Sequence, residues 1–288
     1  MILSGVFVPS NARLAKLLVG QTTIVAAPMD PYTDALFTSR YLLKTAYWIS
    51  VERRYLRSCD ALQVMASDHL RILRDRGVAT PGFVSAGALG PRDLVGATRA
   101  LSNRERTDNK APLKVGYLGR FDIYKKGIDL FLTALGGDLD LRTNLTFTLA
   151  GPISASERAQ LGTLLARDNL NDLVSHVGPV NDIWDYLAGL DLLVLPSRVE
   201  GFGLVAIEAL ASGLPVLLSD VAGATSVLAE EAAVLCVPTV EGIRSALHTA
   251  IDQRVLLCDT AISRAPTICT RFSWSAVAEQ WIKDFKAL

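Results

Sequence analysis

From Leu113 onward the chain alternates short apolar runs with longer segments of helical pattern, the runs falling at residues 114–118, 145–150, 174–177, 192–195, 215–218 and 233–236. Regular alternation of this kind builds a parallel sheet covered by helices, a doubly wound α/β arrangement. Ligands of such open sheets bind beyond the carboxyl ends of the strands. The residues that follow each run are therefore the first place to look for chemistry.

The fourth run, 192–195, is ended by Pro196 and Ser197, and Gly201 and Gly203 open the loop before the next helix. Glu200 and Glu208 bracket that loop and helix start. Leu204, Val205, Ala206, Ile207, Ala209, Leu210 and Ala211 cover nearly every side of a helical wheel, so this helix is expected to be buried all round. A carboxylate at Glu208 then needs a polar partner from the protein or from a ligand. Helix N-termini present free N–H groups and partial positive charge, and glycines let an anion approach the backbone. Phosphate fits such a place, and the two acids beside it fit sugar hydroxyls. The plainer alternative is that the glutamates serve only the helix dipole or a cap.

The first run supplies cations. Gly119-Arg120 follows it directly, and Lys125-Lys126-Gly127 opens the next helix. If the fold sets this loop opposite the Glu200 loop, Arg120 and Lys126 would neutralise a diphosphate. Lys125 is read as part of a solvated turn, since adjacent lysines at a helix start point in different directions.

Charge and cysteine content exclude other classes. Lys plus Arg and Asp plus Glu are 29 each, so no global field recruits nucleic acid. Cys59, Cys236, Cys258 and Cys269 lack metal-ligand spacing and read as reduced core residues. Residues 1–8 lack the basic start of a secretory signal, and the apolar stretch 201–219 contains Glu208; a cytoplasmic protein is expected. Residues 1–95, with apolar runs at 24–27 and 61–65, read as part of a domain. Residues 96–112 are polar, carry Arg104, Glu105, Arg106, Asp108, Asn109 and Lys110, and read as an interdomain linker to a domain at 113–270.

The helix expected from about 35 to 58 carries Arg40, Lys44, Arg53, Arg54 and Arg57 with Tyr41, Tyr47 and Trp48. A basic, aromatic helix of this kind suits contact with an anionic membrane surface. The stronger reading is that Leu42, Leu43, Ala46, Ile49 and Val51 serve the domain core and leave the basic face solvated.

Taken together, Gly119-Arg120-Phe121-Asp122 with Lys126-Gly127, Leu149-Ala150-Gly151-Pro152, Val177-Gly178-Pro179-Val180, Asp191 to Ser197, Glu200 to Glu208 and Ala211-Ser212-Gly213-Leu214-Pro215-Val216 resemble the donor-binding half of glycosyltransferase family 4. These are retaining enzymes of the GT-B fold, built from two Rossmann-like domains. Phe272-Ser273-Trp274 resembles the start of the family's last helix, so residues 271–288 are expected to pack back on the N-terminal part. The resemblance implies that Arg120 and Lys126 hold the leaving diphosphate, that Glu208 binds the ribose, and that Glu200 lies at the transferred sugar. It also implies sugar and phosphate contacts from the amides of Phe202, Gly203 and Leu204, with Gly119 at the phosphates and the base near Val177 and Gly178. His176 adjoins that pocket and reads as structural.

By the same resemblance the partners are a nucleotide diphosphate sugar and a glycan or lipid-linked acceptor. No cofactor and no metal are expected, because no Asp-x-Asp pair stands at a suitable loop and the cations can substitute for a divalent ion. The departures lie at the N-terminal end. Residues 1–95 correspond to only part of the first domain, and residues 24–31 read Ile-Val-Ala-Ala-Pro-Met-Asp-Pro where many relatives carry Pro-His-Gly. The alternatives are a non-catalytic sugar-nucleotide-binding remnant, a subunit completed by a second chain, or a related GT-B sugar-nucleotide epimerase. A phosphorylase would need a pyridoxal phosphate lysine, and none stands in a recognisable setting.

Overall fold

Two parallel sheets organise the chain, one in each of two units. The computed structural model describes residues 1–38, 41–85, 87–104, 111–221, 223–228 and 232–287. One unit comprises Met1–Gly87, Val199–Phe202 and Ser275–Leu288, the other Ala88–Arg198 and Gly203–Trp274.

In the first unit β1 (Ile2–Ser4), β2 (Val25–Ala27), β3 (Ala61–Val64) and β4 (Gly82–Val84) pair in that order. Its core gathers Leu3, Ile24, Leu62, Tyr32, Trp48 and Leu56, and Val199 joins them. At the far edge Phe83 meets Trp281 edge-on, and the Trp281 indole N–H donates to Gln63 Oε1 at 3.1 Å.

The helix expected over 35–58 is divided into Asp34–Thr38, Tyr41–Tyr47, a π-helical turn Trp48–Glu52 and Arg53–Ser58. Arg40 lies outside the described residues. The π turn directs Glu52 inward, where Oε1 accepts from the Phe7 amide at 3.0 Å and the Tyr32 hydroxyl at 2.6 Å. Burial raises the pKa of this carboxyl. The core assignment of the apolar residues is corrected. Trp48 is buried and Val51 half-buried, but Leu42, Leu43, Ala46 and Ile49 are exposed, because the side of the helix that faces inward carries Trp48, Glu52, Tyr55 and Leu56 instead.

In the second unit the strands are β5 (Leu113–Leu118), β6 (Leu145–Ala150), β7 (Val174–Gly178), β8 (Leu192–Leu195), β9 (Val216–Ser219) and β10 (Ala233–Cys236). They match the six runs read from the sequence to within a residue, β5 and β7 each being one residue longer and β9 displaced by one. β8 and β9 are buried throughout, the reason they appear as unbroken apolar runs. The spatial order is β10-β9-β8-β5-β6-β7, all parallel, with Val115 opposite Leu192. The chain grows outward from β5 to β7, crosses back to β8, and grows outward the other way.

Two boundaries differ from the sequence reading. The stretch 96–112 does not begin as a linker, for residues 96–102 complete a helix, Pro91–Ser102, that belongs with the second sheet. Its small buried face, Gly96, Ala97 and Ala100, lets the Trp184 indole lie where a Cβ on Gly96 would stand. Arg104 donates to the carbonyls of Ser212, Leu190 and Leu187 at 2.9, 2.8 and 2.9 Å, closing the carboxyl ends of the helices Leu204–Ala211 and Ile183–Ala188. Residues 105–110 lie outside the described residues. Residues 199–202, placed by sequence inside 113–270, belong to the first unit because Val199 enters its core.

Candidate nucleotide-binding site

In a sheet of this order the crossover connections leave the sheet on opposite sides of β5 and β8. A crevice therefore opens beyond their carboxyl ends. Gly119 and Arg120 extend from β5, and Pro196 to Arg198 from β8. Gly178, with φ +75°, ends β7 two strands away.

The two loops touch at Gly127, which caps the helix Ile128–Gly136 with φ +65°. A Cβ there would overlap the Pro196 carbonyl, so only glycine allows both the backbone angle and the contact. Asp122 holds the turn. Its Oδ1 accepts from the Lys125 amide at 3.0 Å, its carbonyl accepts from the Lys126 amide at 2.8 Å, and Lys125 Nζ stands 3.7 Å from Oδ2. Arg120 is exposed, and among the described residues no carboxylate pairs with its guanidinium; Lys126 is half-buried. The Tyr117 hydroxyl fixes the Arg120 carbonyl at 2.9 Å.

Across the crevice Gly203, with φ +85°, begins the helix Leu204–Ala211. No side chain caps this helix and no acid stands in its first turn, so its leading amides keep their positive end open. It packs against Pro91–Ser102 and Arg254–Arg271, with Ala206, Ile207, Ala209, Leu210 and Ala211 buried. Glu208 projects from it half-buried, and no described side chain hydrogen-bonds its carboxylate. Burial, helped by the like charge of Asp93, pushes its pKa up to about 7.

Glu200, Gly201 and Phe202 are placed by the first unit. Gly201 lies where a Cβ would overlap the Met29 carbonyl, and Phe202 is buried. Leu204 is partly exposed at the helix start. His176 approaches the Gly151 carbonyl through Nε2 at 3.3 Å and meets Phe121 edge-on. Among the described residues no three His, Cys, Asp or Glu side chains are grouped to hold a metal ion, and no helix is long and apolar enough to cross a membrane. The second unit thus brings Gly119, Arg120, Lys126, Gly203 and Glu208 to one end of one sheet. Arg198, which sequence reading passed over, links the two loops.

An all-parallel sheet with this reversal is a doubly wound α/β domain, and cations beyond one strand with an uncapped helix beyond its neighbour are features that suit an anionic ligand. Residues 112–253 match the family described as glycosyl transferases group 1. The lipopolysaccharide core biosynthesis mannosyltransferase LpsB of Rhizobium meliloti (strain 1021) is 37% identical over 110 residues, 37% of this chain and 31% of that protein. The glycogen synthase of Mycobacterium tuberculosis is 28% identical over 244 residues, 83% of this chain and 56% of that protein. The chain thus spans little more than half the length of the longer match. Anabaena HepE, solved with UDP and glucose, superposes with a TM-score of 0.76 at 17% identity, covering 100% of this chain and 78% of that one. By fold this chain is of the GT-B type, and over residues 112–253 its sequence is similar to glycosyl transferases group 1.

Proposed function

We propose that this chain binds a nucleotide diphosphate sugar and serves retaining transfer of the sugar to an acceptor hydroxyl, as in glycosyltransferase family 4. The reading rests above all on the reversal of strand order between β5 and β8, which sets the Arg120–Lys126 loop beside the loop that leads to Gly203. In it, Arg120 and Lys126 neutralise the diphosphate, with the Gly119 turn and the amides of Phe202, Gly203 and Leu204 adding backbone donors. Glu208, left without a described partner, accepts from the ribose hydroxyls. The base lies by Gly178, and Glu200 lies at the transferred sugar without acting as a covalent nucleophile. Charge gathered on the leaving diphosphate is what the cations stabilise, so its departure needs no divalent ion. A leaving-group oxygen takes the acceptor proton.

The acceptor on this reading is a glycan or a lipid-linked glycan, and the compartment is the cytoplasm. Exposed Tyr41, Leu42, Leu43 and Ile49 in the first unit support a peripheral membrane contact for a lipid-linked acceptor. Calorimetric titration of the full chain with UDP, GDP and ADP tests the donor site. Binding of at least one of them, weakened ten- to a hundredfold by Glu208→Ala (about 1.5 to 3 kcal/mol), supports the reading. Equal affinity of wild type and variant removes the ribose role. A second reading, binding without transfer until another segment or subunit completes the site, is favoured by residues 24–31, which contain no histidine.

A further inference from the structure

Arg198 directs its backbone and its side chain at the loop beyond β5. Its amide donates to the Lys125 carbonyl at 2.8 Å, and Nη1 donates to the Tyr124 carbonyl at 2.6 Å. Nη1 and Nη2 also form a two-pronged ion pair with Asp129, at 2.7 Å to Oδ1 and 2.8 Å to Oδ2. The guanidinium lies 4.4 Å over the Tyr124 ring. This is no solvated surface pair, since the Arg198 and Asp129 side chains are only 18% and 28% exposed.

The consequence falls on Lys126. The residues before it, Tyr124 and Lys125, have their carbonyls held by Arg198, and the residue after it, Gly127, is seated against Pro196. Asp129 stands in the first turn of the helix that Gly127 caps, so the fork also fixes that helix start. Lysine carries a point charge on a flexible stem, and where that charge can reach is decided by where the backbone is held. Arg198 already faces a carboxylate on both prongs, which leaves it matched to hold the loop rather than to meet a phosphate.

We infer that Arg198 is a positioning residue for the donor diphosphate: with Asp129 and Tyr124 it locks the β5 loop to the β8 loop and so sets where the Lys126 ammonium meets the phosphates. The inference rests on the donor site proposed above. Lysine cannot replace the fork, because a single ammonium cannot span both carboxylate oxygens and the Tyr124 carbonyl in one plane.

The test has a ligand-free arm and a binding arm, both on the full chain. Hydrogen exchange without ligand reads the lock itself. In Arg198→Ala the amides of Lys126, Gly127 and Ile128, bonded to the carbonyls of Asp122, Tyr124 and Ile123, should exchange about tenfold faster or more, with β5 and β8 unchanged. Calorimetry reads the consequence. Arg198→Ala and Arg198→Lys should each weaken binding of the nucleoside diphosphate about tenfold and leave the nucleoside alone. In a Lys126→Ala background, Arg198→Ala should add almost nothing. Unchanged exchange at 126–128 overturns the lock, and equal loss for both ligands makes the role one of general stability. Additive losses in the double variant make Arg198 a direct phosphate ligand, which also overturns it. A wild type that binds no nucleoside diphosphate sinks the donor site, and the positioning role with it, while the exchange result still decides whether the loops are locked.

Discussion

Glu208 gives the proposed donor site a signature in pH. Its carboxyl is pushed from an ordinary 4.5 up to about 7, first by burial and then by the Asp93 carboxylate. Ribose hydroxyls that donate to it would favour the charged form, so binding should draw on the deprotonated fraction and release a proton. With a pKa of about 7, roughly one-tenth of the molecules are ionised at pH 6 and nine-tenths at pH 8, and nucleoside affinity should rise about tenfold across that span. The nucleoside is the right probe, because phosphate itself titrates near pH 6, roughly, and would add its own slope. Glu208→Gln keeps the shape of the side chain and removes the titration. Its affinity at pH 8 should fall about ten- to a hundredfold, and its profile should be flat.

The same group has a second consequence in the unliganded protein. A carboxyl whose pKa is raised on folding binds its proton more tightly in the native state, so its contribution to stability is fully present below the unfolded value and is lost as pH climbs through the folded one. Wild type should therefore lose stability relative to Glu208→Gln between about pH 4.5 and about pH 7, by no more than roughly 3 kcal/mol. Titration calorimetry in buffers of different ionisation enthalpy counts the proton released on binding, and urea melts across the same range read the stability. A wild-type affinity profile as flat as the variant's would refute the ribose role, whatever the stability curves show.

The remaining expectations are more local. Lys126→Ala and Arg120→Ala should weaken nucleoside diphosphate binding far more than nucleoside binding, and equal losses would point to misfolding or a different pocket. Gly127→Ala should cost roughly 2 kcal/mol or more, because it forces a side chain to a left-handed angle and into the Pro196 carbonyl, and a shift in urea midpoint measures it. Asp138 is held below its ordinary 3.8 chiefly by its hydrogen bond from His248 at 2.9 Å. That stabilisation is present above the unfolded value and fades as pH drops through the folded one, so Asp138→Asn should flatten the acid limb of the stability curve. Sugar transfer is read by nucleotide release from candidate donors and acceptors. Once transfer is seen, Glu200→Gln should cut its rate more than donor affinity.

The second unit was legible because its central strand β8 is buried on both faces and stands out as an unbroken apolar run, while β6 and β10, with alternate residues more exposed, still kept enough apolar residues to be read with their observed bounds. β1 and β4 were not, since each has only its middle residue buried, whereas the equally short β2 is buried throughout and shows as an apolar run. The course of the helix over 41–58 was hidden for another reason. Its π turn is held by Glu52 reaching Phe7 and Tyr32, 45 and 20 residues away, and no local propensity records such a partner. The misread linker did carry a signal: Pro91 at the helix start and Asp93, whose carboxylate accepts from the Gly90 amide, mark an N-terminus that polar composition obscured.

Within the site the same division holds. Arg120, Lys126 and Gly203 could be nominated from sequence because each stands in a loop beyond a strand end, and Glu208 because it is the one acid in an otherwise apolar helix. Arg198 could not, because its meaning comes from Asp129, 69 residues earlier, through a contact that only the strand-order reversal creates. The two kinds of residue have opposite energetics. Arg198 is paired and supports the fold that holds it, whereas Glu208 is half-buried without a described partner and works against its own helix at neutral pH. On the proposed function, a half-buried carboxylate without a described protein partner is better explained by hydroxyls of a ligand than by packing. That is why the pH dependence of nucleoside binding bears so directly on what this chain does.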